Sequence, residues 1–262
     1  MPGIGLVAPR LRWVQLLGAG VDQVPEIGDN RVVVTNASGI HAVPISEYVL
    51  GVMLALAKRL PFAFDNQRQR KWQRFGFTPS ELESKTLGVV GLGHIGGAVA
   101  RLGHAFGMRV VATKRTPGTE QQVDELLPPH RLHDLLAQCD FVVLAVPLTH
   151  ETRHMIDEQA LRSMKPGAFL VNIARGGVVD EQALVRALRE KWIAGAALDV
   201  VENEPLPEDS PLWSFDNVII TPHMAGGSDR YIERAVALFV DNLERYLAGQ
   251  PLRNVVDLER GY

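Results

Sequence analysis

A short apolar run, Leu87 to Val90, leads straight into Gly91, Gly93 and Gly96, and then into Ala98-Val99-Ala100-Arg101-Leu102. The run reads as a buried strand and the segment after it as a helix. The spacing between them is G-x-G-x-x-G. Gly91 permits a tight turn, Gly93 lets a phosphate approach the backbone, and Gly96 lets the helix pack closely on the strand. The helix N-terminus then presents N–H groups and a positive dipole end to a pyrophosphate. With 24 glycines in the chain, the spacing alone occurs by accident. The strand before it and the helix after it separate a dinucleotide-binding turn from a plain strand-to-helix connection.

The alternation continues downstream. Strand-like runs occur at Leu87 to Val90, Arg109 to Thr113, Phe141 to Val146, Ala168 to Ile173, Ala194 to Val200 and Val218 to Ile220. Helical patterns at Ile95 to Phe106, Arg131 to Gln138, Glu158 to Ser163 and Asp180 to Lys191 lie between most of them. This order predicts an α/β fold, a doubly wound parallel sheet of the Rossmann type with six strands. Residues 44–227 form the expected dinucleotide-binding domain. Residues 1–43 and 228–262 form a second, smaller α/β substrate domain built from both chain ends. It contains strands within Leu11 to Leu17 and Arg31 to Thr35, and Met1 to Arg10 has no clear periodicity. It reads as incomplete, with too little apolar surface for a core of its own. Two helical patterns join the domains: one from Pro44 through Val49, Val52, Met53, Leu56 and Leu60, the other through Ile232, Val236, Phe239, Leu243 and Leu247.

Composition narrows the function. The 262 residues are 46% hydrophobic and 22% charged with a net charge of −3, which argues against nucleic acid or an anionic membrane as partner. The basic segment Gln67 to Arg74 around Trp72 reads as a solvated or subunit-contact helix. The apolar stretch Tyr48 to Ala57 is too short to span a bilayer, and no signal peptide is visible at Met1 to Leu11. The single cysteine, Cys139, forms no internal disulfide and reads as an inert thiol in a reducing, cytoplasmic setting. No His/Cys cluster has metal-ligand spacing, so no metal is expected.

In open α/β sheets ligands bind beyond the carboxyl ends of the strands. After the second run come Lys114 and Arg115; after the fourth, Arg175; after the fifth, Glu202 and Glu204; after the sixth, His223. Singly, each has a structural explanation. Jointly they suit reduction of a 2-keto acid: a guanidinium fork for carboxylate and carbonyl, an imidazole as proton donor, and a glutamate to support that imidazole. A nicotinamide cofactor supplies the hydride.

The chain resembles the D-isomer-specific 2-hydroxyacid dehydrogenases over essentially its whole length. The matching blocks are Gly18-Ala19-Gly20-Val21-Asp22, Gly91 to Gly96, Val146-Pro147-Leu148-Thr149, Asn172 to Gly177, Leu198 to Pro205 and Thr221-Pro222-His223. The resemblance implies Arg175, Glu204 and His223 as the catalytic set, choosing Glu204 over Glu202 because it directly precedes the proline. It implies substrate-carboxylate binding at Ala19 and Gly20 beside Arg175. Cofactor contacts are implied at Gly91, Gly93, His94, Ile95, Gly96, Val146, Pro147, Thr152, Ile173 and Asp199. Family members carry more sequence ahead of the Gly18 to Asp22 loop. Relatives that use NAD place an acid at the end of the second strand. Lys114 and Arg115 stand here instead, the nearest downstream acid being Glu120, so NADP is favoured over NAD. The expected activity is a glyoxylate or hydroxypyruvate type 2-keto acid reductase, and the expected assembly is a homodimer through Tyr48 to Lys71. The alternatives are a nicotinamide-responsive corepressor-like binding protein and a truncated, inactive relative.

Overall fold

The computed structural model describes residues 8, 10–20, 32–74, 78–116 and 122–257. Residues 1–7, Val21, Asp22, Arg31 and Glu120, which figure in the sequence argument, lie outside them. The chain divides into two compact units, residues 42–226 and residues 1–41 with 227–262.

In the smaller unit, β1 (Trp13–Gln15) pairs in parallel with β2 (Val33–Thr35), Trp13 opposite Val33. The last helix among the described residues, α7 (Tyr231–Leu247), packs here. Trp13 stacks on Phe239 and Tyr246, with ring centroids 5.6 and 5.4 Å apart. Buried Asn242 donates to Gln15 Oε1 at 2.9 Å. The face turned to Trp13 therefore carries Phe239, Asn242 and Tyr246, of which only Asn242 is buried, and Ile232, Val236 and Leu247 are more exposed than either ring.

The larger unit holds a seven-stranded sheet. Its strands are β3 (Thr86–Val90), β4 (Arg109–Thr113), β5 (Glu125–Leu127), β6 (Phe141–Leu144), β7 (Phe169–Asn172), β8 (Gly195–Leu198) and β9 (Val218–Ile220). They lie in the order β5-β4-β3-β6-β7-β8-β9, and every pair is parallel. The chain winds outward from β3 in one direction and returns at β6 to wind in the other, so the crevice between β3 and β6 is the topological switch point. The expected doubly wound sheet is present with one more strand than the sequence predicts: β5, three residues at the edge. The predicted runs ending at Val146, Ile173 and Val200 stop two, one and two residues earlier, because the chain leaves the ladder there to form loops.

Alternation along each strand divides the core between the sheet's two faces. Val110, Ala112, Phe141 and Val143 pack with residues of α1 (Ala42–Ala57) and α3 (His94–Ala105). Their neighbours Val111, Val142 and Leu144 pack on the other face with α4 (Leu132–Gln138), α5 (Glu158–Ser163) and α6 (Glu181–Arg189). Side chains such as Leu87 and Leu144 are fully enclosed, each worth about 1.5–3 kcal/mol of apolar transfer. Asp157 and Asp180 start α5 and α6 by accepting from the N–H groups of Ala160 and Ala183 at 2.8 and 2.9 Å. The single helix predicted from Pro44 to Leu60 is two. α1 stops at Ala57, Arg59 takes a left-handed φ of 56°, and α2 (Leu60–Arg68) starts anew with Pro61 in its first turn. Trp72, beyond α2, is fully exposed.

Candidate active site

The glycine turn sits at the carboxyl end of β3, beside the switch point. Gly91 adopts φ +96°, and a Cβ on Gly96 would lie 2.0 Å from the Gly91 carbonyl oxygen, so neither position tolerates a side chain. A Cβ on Gly93, by contrast, would meet no atom within 4 Å. Nothing inside the protein requires a glycine there, whereas a phosphate lying on the turn does. Helix α3 begins just after Gly93, the turn's second glycine, with no capping side chain, so its positive end faces the crevice. These residues fit a dinucleotide. Two bonds hold the turn: Thr113 Oγ1 accepts from the Gly91 N–H at 3.2 Å, and the Leu92 N–H donates to the Thr113 carbonyl at 3.1 Å.

Arg175, Glu204 and His223 follow β7, β8 and β9, three neighbouring parallel strands whose ends lie on one edge of the sheet. The buried side chain of Asn172 shapes the first loop. Its Oδ1 accepts from the Ala174 N–H and its Nδ2 donates to the Arg175 carbonyl, both at 3.1 Å. This turns the backbone out of the ladder at Arg175, whose guanidinium donates to the Ala174 carbonyl at 2.8 Å. The third loop closes around Asp199. The Asp199 carboxylate accepts from Thr221 Oγ1 at 2.6 Å and from the N–H groups of Met224 and Ala225 at 2.8 and 2.9 Å. The Asp199 carbonyl accepts the His223 N–H at 2.8 Å. His223 is held at φ 52°, a left-handed conformation that a non-glycine residue keeps only where its surroundings dictate it. Its Nδ1 stands 2.8 Å from Glu204 Oε2. A carboxylate only accepts, so Nδ1 carries the hydrogen and Nε2 is left for other chemistry.

Several residues expected at the cofactor have side chains committed inside the protein. Asp199 organises residues 221–225, as above. Thr152 Oγ1 donates to the Pro147 carbonyl at 2.6 Å and accepts from the Thr149 N–H at 2.8 Å, closing the loop after β6. Val146 packs on Gly91, Ile173 is buried, and His94 and Ile95 open α3. Lys114 and Arg115 follow β4 as predicted, and Arg115 pairs with Glu151 at 2.9 Å, both well exposed. Ala19 and Gly20 belong to the other unit, where the Ala19 carbonyl accepts from Asn36 Nδ2 at 2.8 Å. Glu202 takes another partner, His154, at 2.9 Å. The sequence argument missed Thr113, Asn172 and Tyr48, whose hydroxyl meets Thr221 Oγ1 at 2.6 Å. The only advance sign was a polar residue at the end of an apolar strand or on the apolar face of a helix. Cys139 is buried, which pushes its thiol up to about 12, as an inert side chain requires. Among the described residues no helix is long and apolar enough to cross a membrane.

Residues 50–225 match the family model of the D-isomer specific 2-hydroxyacid dehydrogenase NAD binding domain. A glyoxylate reductase of Thermococcus gammatolerans is 41% identical over 263 residues, 96% of this chain and 78% of that protein. A D-isomer specific 2-hydroxyacid dehydrogenase of Xanthobacter autotrophicus, solved with NADPH, superposes with a TM-score of 0.86 at 38% identity, covering 100% of this chain and 83% of that one. An NADPH-dependent glyoxylate/hydroxypyruvate reductase of Sinorhizobium meliloti, solved with NADP, gives 0.87 at 28% identity over 98% of this chain and 83% of that one. The chain therefore belongs to the D-isomer specific 2-hydroxyacid dehydrogenase family and is a nicotinamide-dependent oxidoreductase of 2-hydroxy acids.

Proposed function

We propose that the enzyme reduces glyoxylate or hydroxypyruvate, with Arg175, Glu204 and His223 as its catalytic residues and NADPH preferred to NADH. The observation that carries the chemistry is the 2.8 Å bond from His223 Nδ1 to Glu204 on the sheet edge that also bears Arg175. When bound, the nicotinamide cofactor supplies the hydride. Arg175 holds the substrate carboxylate with its planar fork and draws electron density from the carbonyl. His223, with Nδ1 fixed on Glu204, delivers the Nε2 proton to the oxygen on which negative charge develops. Glu204 keeps the imidazole oriented through the bond to Nδ1. The relatives named as glyoxylate and hydroxypyruvate reductases support the substrate class.

The cofactor preference rests on Lys114 and Arg115, where the 2′-phosphate of NADP adds up to about two negative charges for a cationic pair to attract. Glu151, opposite Arg115, is exposed and gives the guanidinium up to a phosphate at little cost. The expected NADPH preference is about one to two orders of magnitude, or 1.4 to 2.8 kcal/mol. Initial rates on glyoxylate and hydroxypyruvate with each cofactor test both parts. No turnover with either keto acid refutes the substrate assignment. A kcat/KM ratio for NADPH over NADH at or below one, unchanged in Lys114→Asp with Arg115→Ala, refutes the cofactor assignment. We assign the enzyme to the cytoplasm and to a homodimer formed through α1 and α2, where Leu60 and Phe64 are exposed; light scattering that finds a monomer overturns the latter.

A further inference from the structure

Tyr48 lies on α1, far in sequence from the strand ends, and the reaction does not use it. Its hydroxyl stands 2.6 Å from Thr221 Oγ1, which in turn stands 2.6 Å from Asp199 Oδ1. The direction of these two bonds is fixed by counting protons. The Asp199 carboxylate is acceptor-only, and it already takes the N–H groups of Met224 and Ala225. Thr221 has one hydroxyl proton, and Asp199 receives it. The Thr221 oxygen can then only accept from Tyr48, so the phenol is the donor at the head of a one-way chain, Tyr48 to Thr221 to Asp199. Burial holds the phenol protonated, pushed up to about 12, so it remains a donor across the neutral and mildly alkaline range.

We infer that Tyr48 is a positioning residue for His223, acting through the Thr221–Asp199 hydrogen bonds. The inference rests on the assignment of His223 as proton donor. Asp199 gathers four residues of one turn, receiving the Thr221 hydroxyl and the N–H groups of His223, Met224 and Ala225 on its two carboxylate oxygens and its carbonyl. That turn carries His223 at φ 52°. Left to itself, the backbone relaxes from such a conformation. The turn therefore stays in place only while its bonds are complete. Without Tyr48, the Thr221 hydroxyl loses the donor that fills its lone pair and gains freedom to rotate away from Asp199. His223 then drifts relative to Glu204 and to the bound keto acid. Misplacement of a proton donor lowers kcat far more than it changes the binding of cofactor or substrate.

Tyr48→Phe removes one oxygen and nothing else, so it isolates the bond. In the full-length enzyme with saturating NADPH and glyoxylate, kcat is expected to fall about three- to tenfold. The keto-acid KM and the NADPH Kd, read by nucleotide fluorescence, stay within about twofold. A double-mutant cycle supplies the second readout. Once Thr221→Val has cut the chain, adding Tyr48→Phe changes kcat no further, because both substitutions break the same connection. A Tyr48→Phe enzyme with wild-type kcat overturns the inference. So do losses that multiply independently in the double variant, and so does a Tyr48→Phe protein that fails to fold, since the bond would then hold the fold and not the histidine. His223→Ala is the control: if it keeps its turnover, the proton-donor assignment has failed, whereas a collapsed His223→Ala beside an unaffected Tyr48→Phe sinks only the role of Tyr48.

Discussion

Two histidine–glutamate pairs hang from the same loop. His223 bonds Glu204 at 2.8 Å and His154 bonds Glu202 at 2.9 Å. Both histidines have a left-handed backbone, φ 52° and 51°. Their side chains are similarly open, 48% exposed for His223 and 41% for His154, so accessibility does not tell them apart. Their backbones do. The His223 N–H is drawn in by Asp199 at the end of β8, on the edge of the sheet that carries Arg175. The His154 N–H donates to the Gly177 carbonyl, and the Glu202 N–H is received by Glu181 on α6. The second pair stitches the loop after β6 to the loop after β8. On the proposed mechanism the same two side chains at the same distance serve as chemistry in one place and as fastening in the other, and position relative to the strand ends is what differs.

The widest gap between the pairs is expected from removing the imidazoles. His223→Ala lowers kcat for keto-acid reduction by about two to four orders of magnitude, the range for a positioned acid. His154→Ala leaves kcat within about threefold and shifts the melting temperature instead, since an exposed pair contributes little beyond local order. Steady-state rates and thermal melts on the two variants decide it. Equal kcat losses would mean that the distinction drawn from backbone position is false. Arg175→Ala asks whether the edge of the sheet is the reacting edge at all. It lowers kcat/KM for the keto acid by about two to three orders of magnitude, the cost of removing one side of a desolvated charge pair. The NADPH Kd should hardly move, and a retained kcat/KM places the carboxylate elsewhere.

Much of this comparison could be read from residue order, and some of it could not. The strand–glycine–helix segment at Leu87 to Leu102 was legible because each glycine answers a local steric demand. The shared edge of Arg175, Glu204 and His223 was legible because loops that follow neighbouring parallel strands lie on one edge. β5 was not: Glu125–Leu127 is too short for any period to register. The break between α1 and α2 left a signal in Pro61, overridden by the apolar spacing on either side of it. Thr113, Asn172 and Tyr48 act on backbone atoms or on another hydroxyl. A hydrogen bond to a main-chain group leaves no pairing pattern in the sequence, so such supports emerge only from coordinates. For the same reason nothing in the sequence shows that the oxygens of Thr152 and Asp199, positions the resemblance puts at the cofactor, hold loops.

Exchanging the carboxylates sharpens the contrast at smaller amplitude. Glu204→Gln keeps the size and a hydrogen bond but removes the charge, and kcat falls about tenfold because the protonated imidazole loses a charge-assisted partner. Glu202→Gln changes kcat less than about twofold, since the second pair holds a loop and a neutral amide also bonds an imidazole. If Glu202→Gln proves the more damaging, the glutamate has been assigned to the wrong histidine.

The smallest effect lies behind the active pair, in the phenol that only this pair has. Burial raises Tyr48 from an ordinary 10.0 to about 12, and it raises Cys139, which sits against Gly88, from 9.0 to about 12. Both groups are neutral when protonated, so the folded chain favours the protonated form. The unfolded chain releases these protons first as pH climbs, and from there each step in pH favours unfolding. The stability they contribute is therefore complete below pH 9.0 and drains away between 9.0 and about 12. Urea midpoints followed through that range should fall more gently in Tyr48→Phe than in the wild type. The difference should open only above pH 10.0, where the unfolded phenol ionises, and Cys139→Ala should flatten the slope from 9.0 upward. A Tyr48→Phe slope identical to wild type would mean that the phenol ionises as readily in the folded chain as out of it. Above pH 10.0 the phenolate would then have no proton to donate to Thr221, and the bond that distinguishes the ground behind His223 from the ground behind His154 would run the other way in that range.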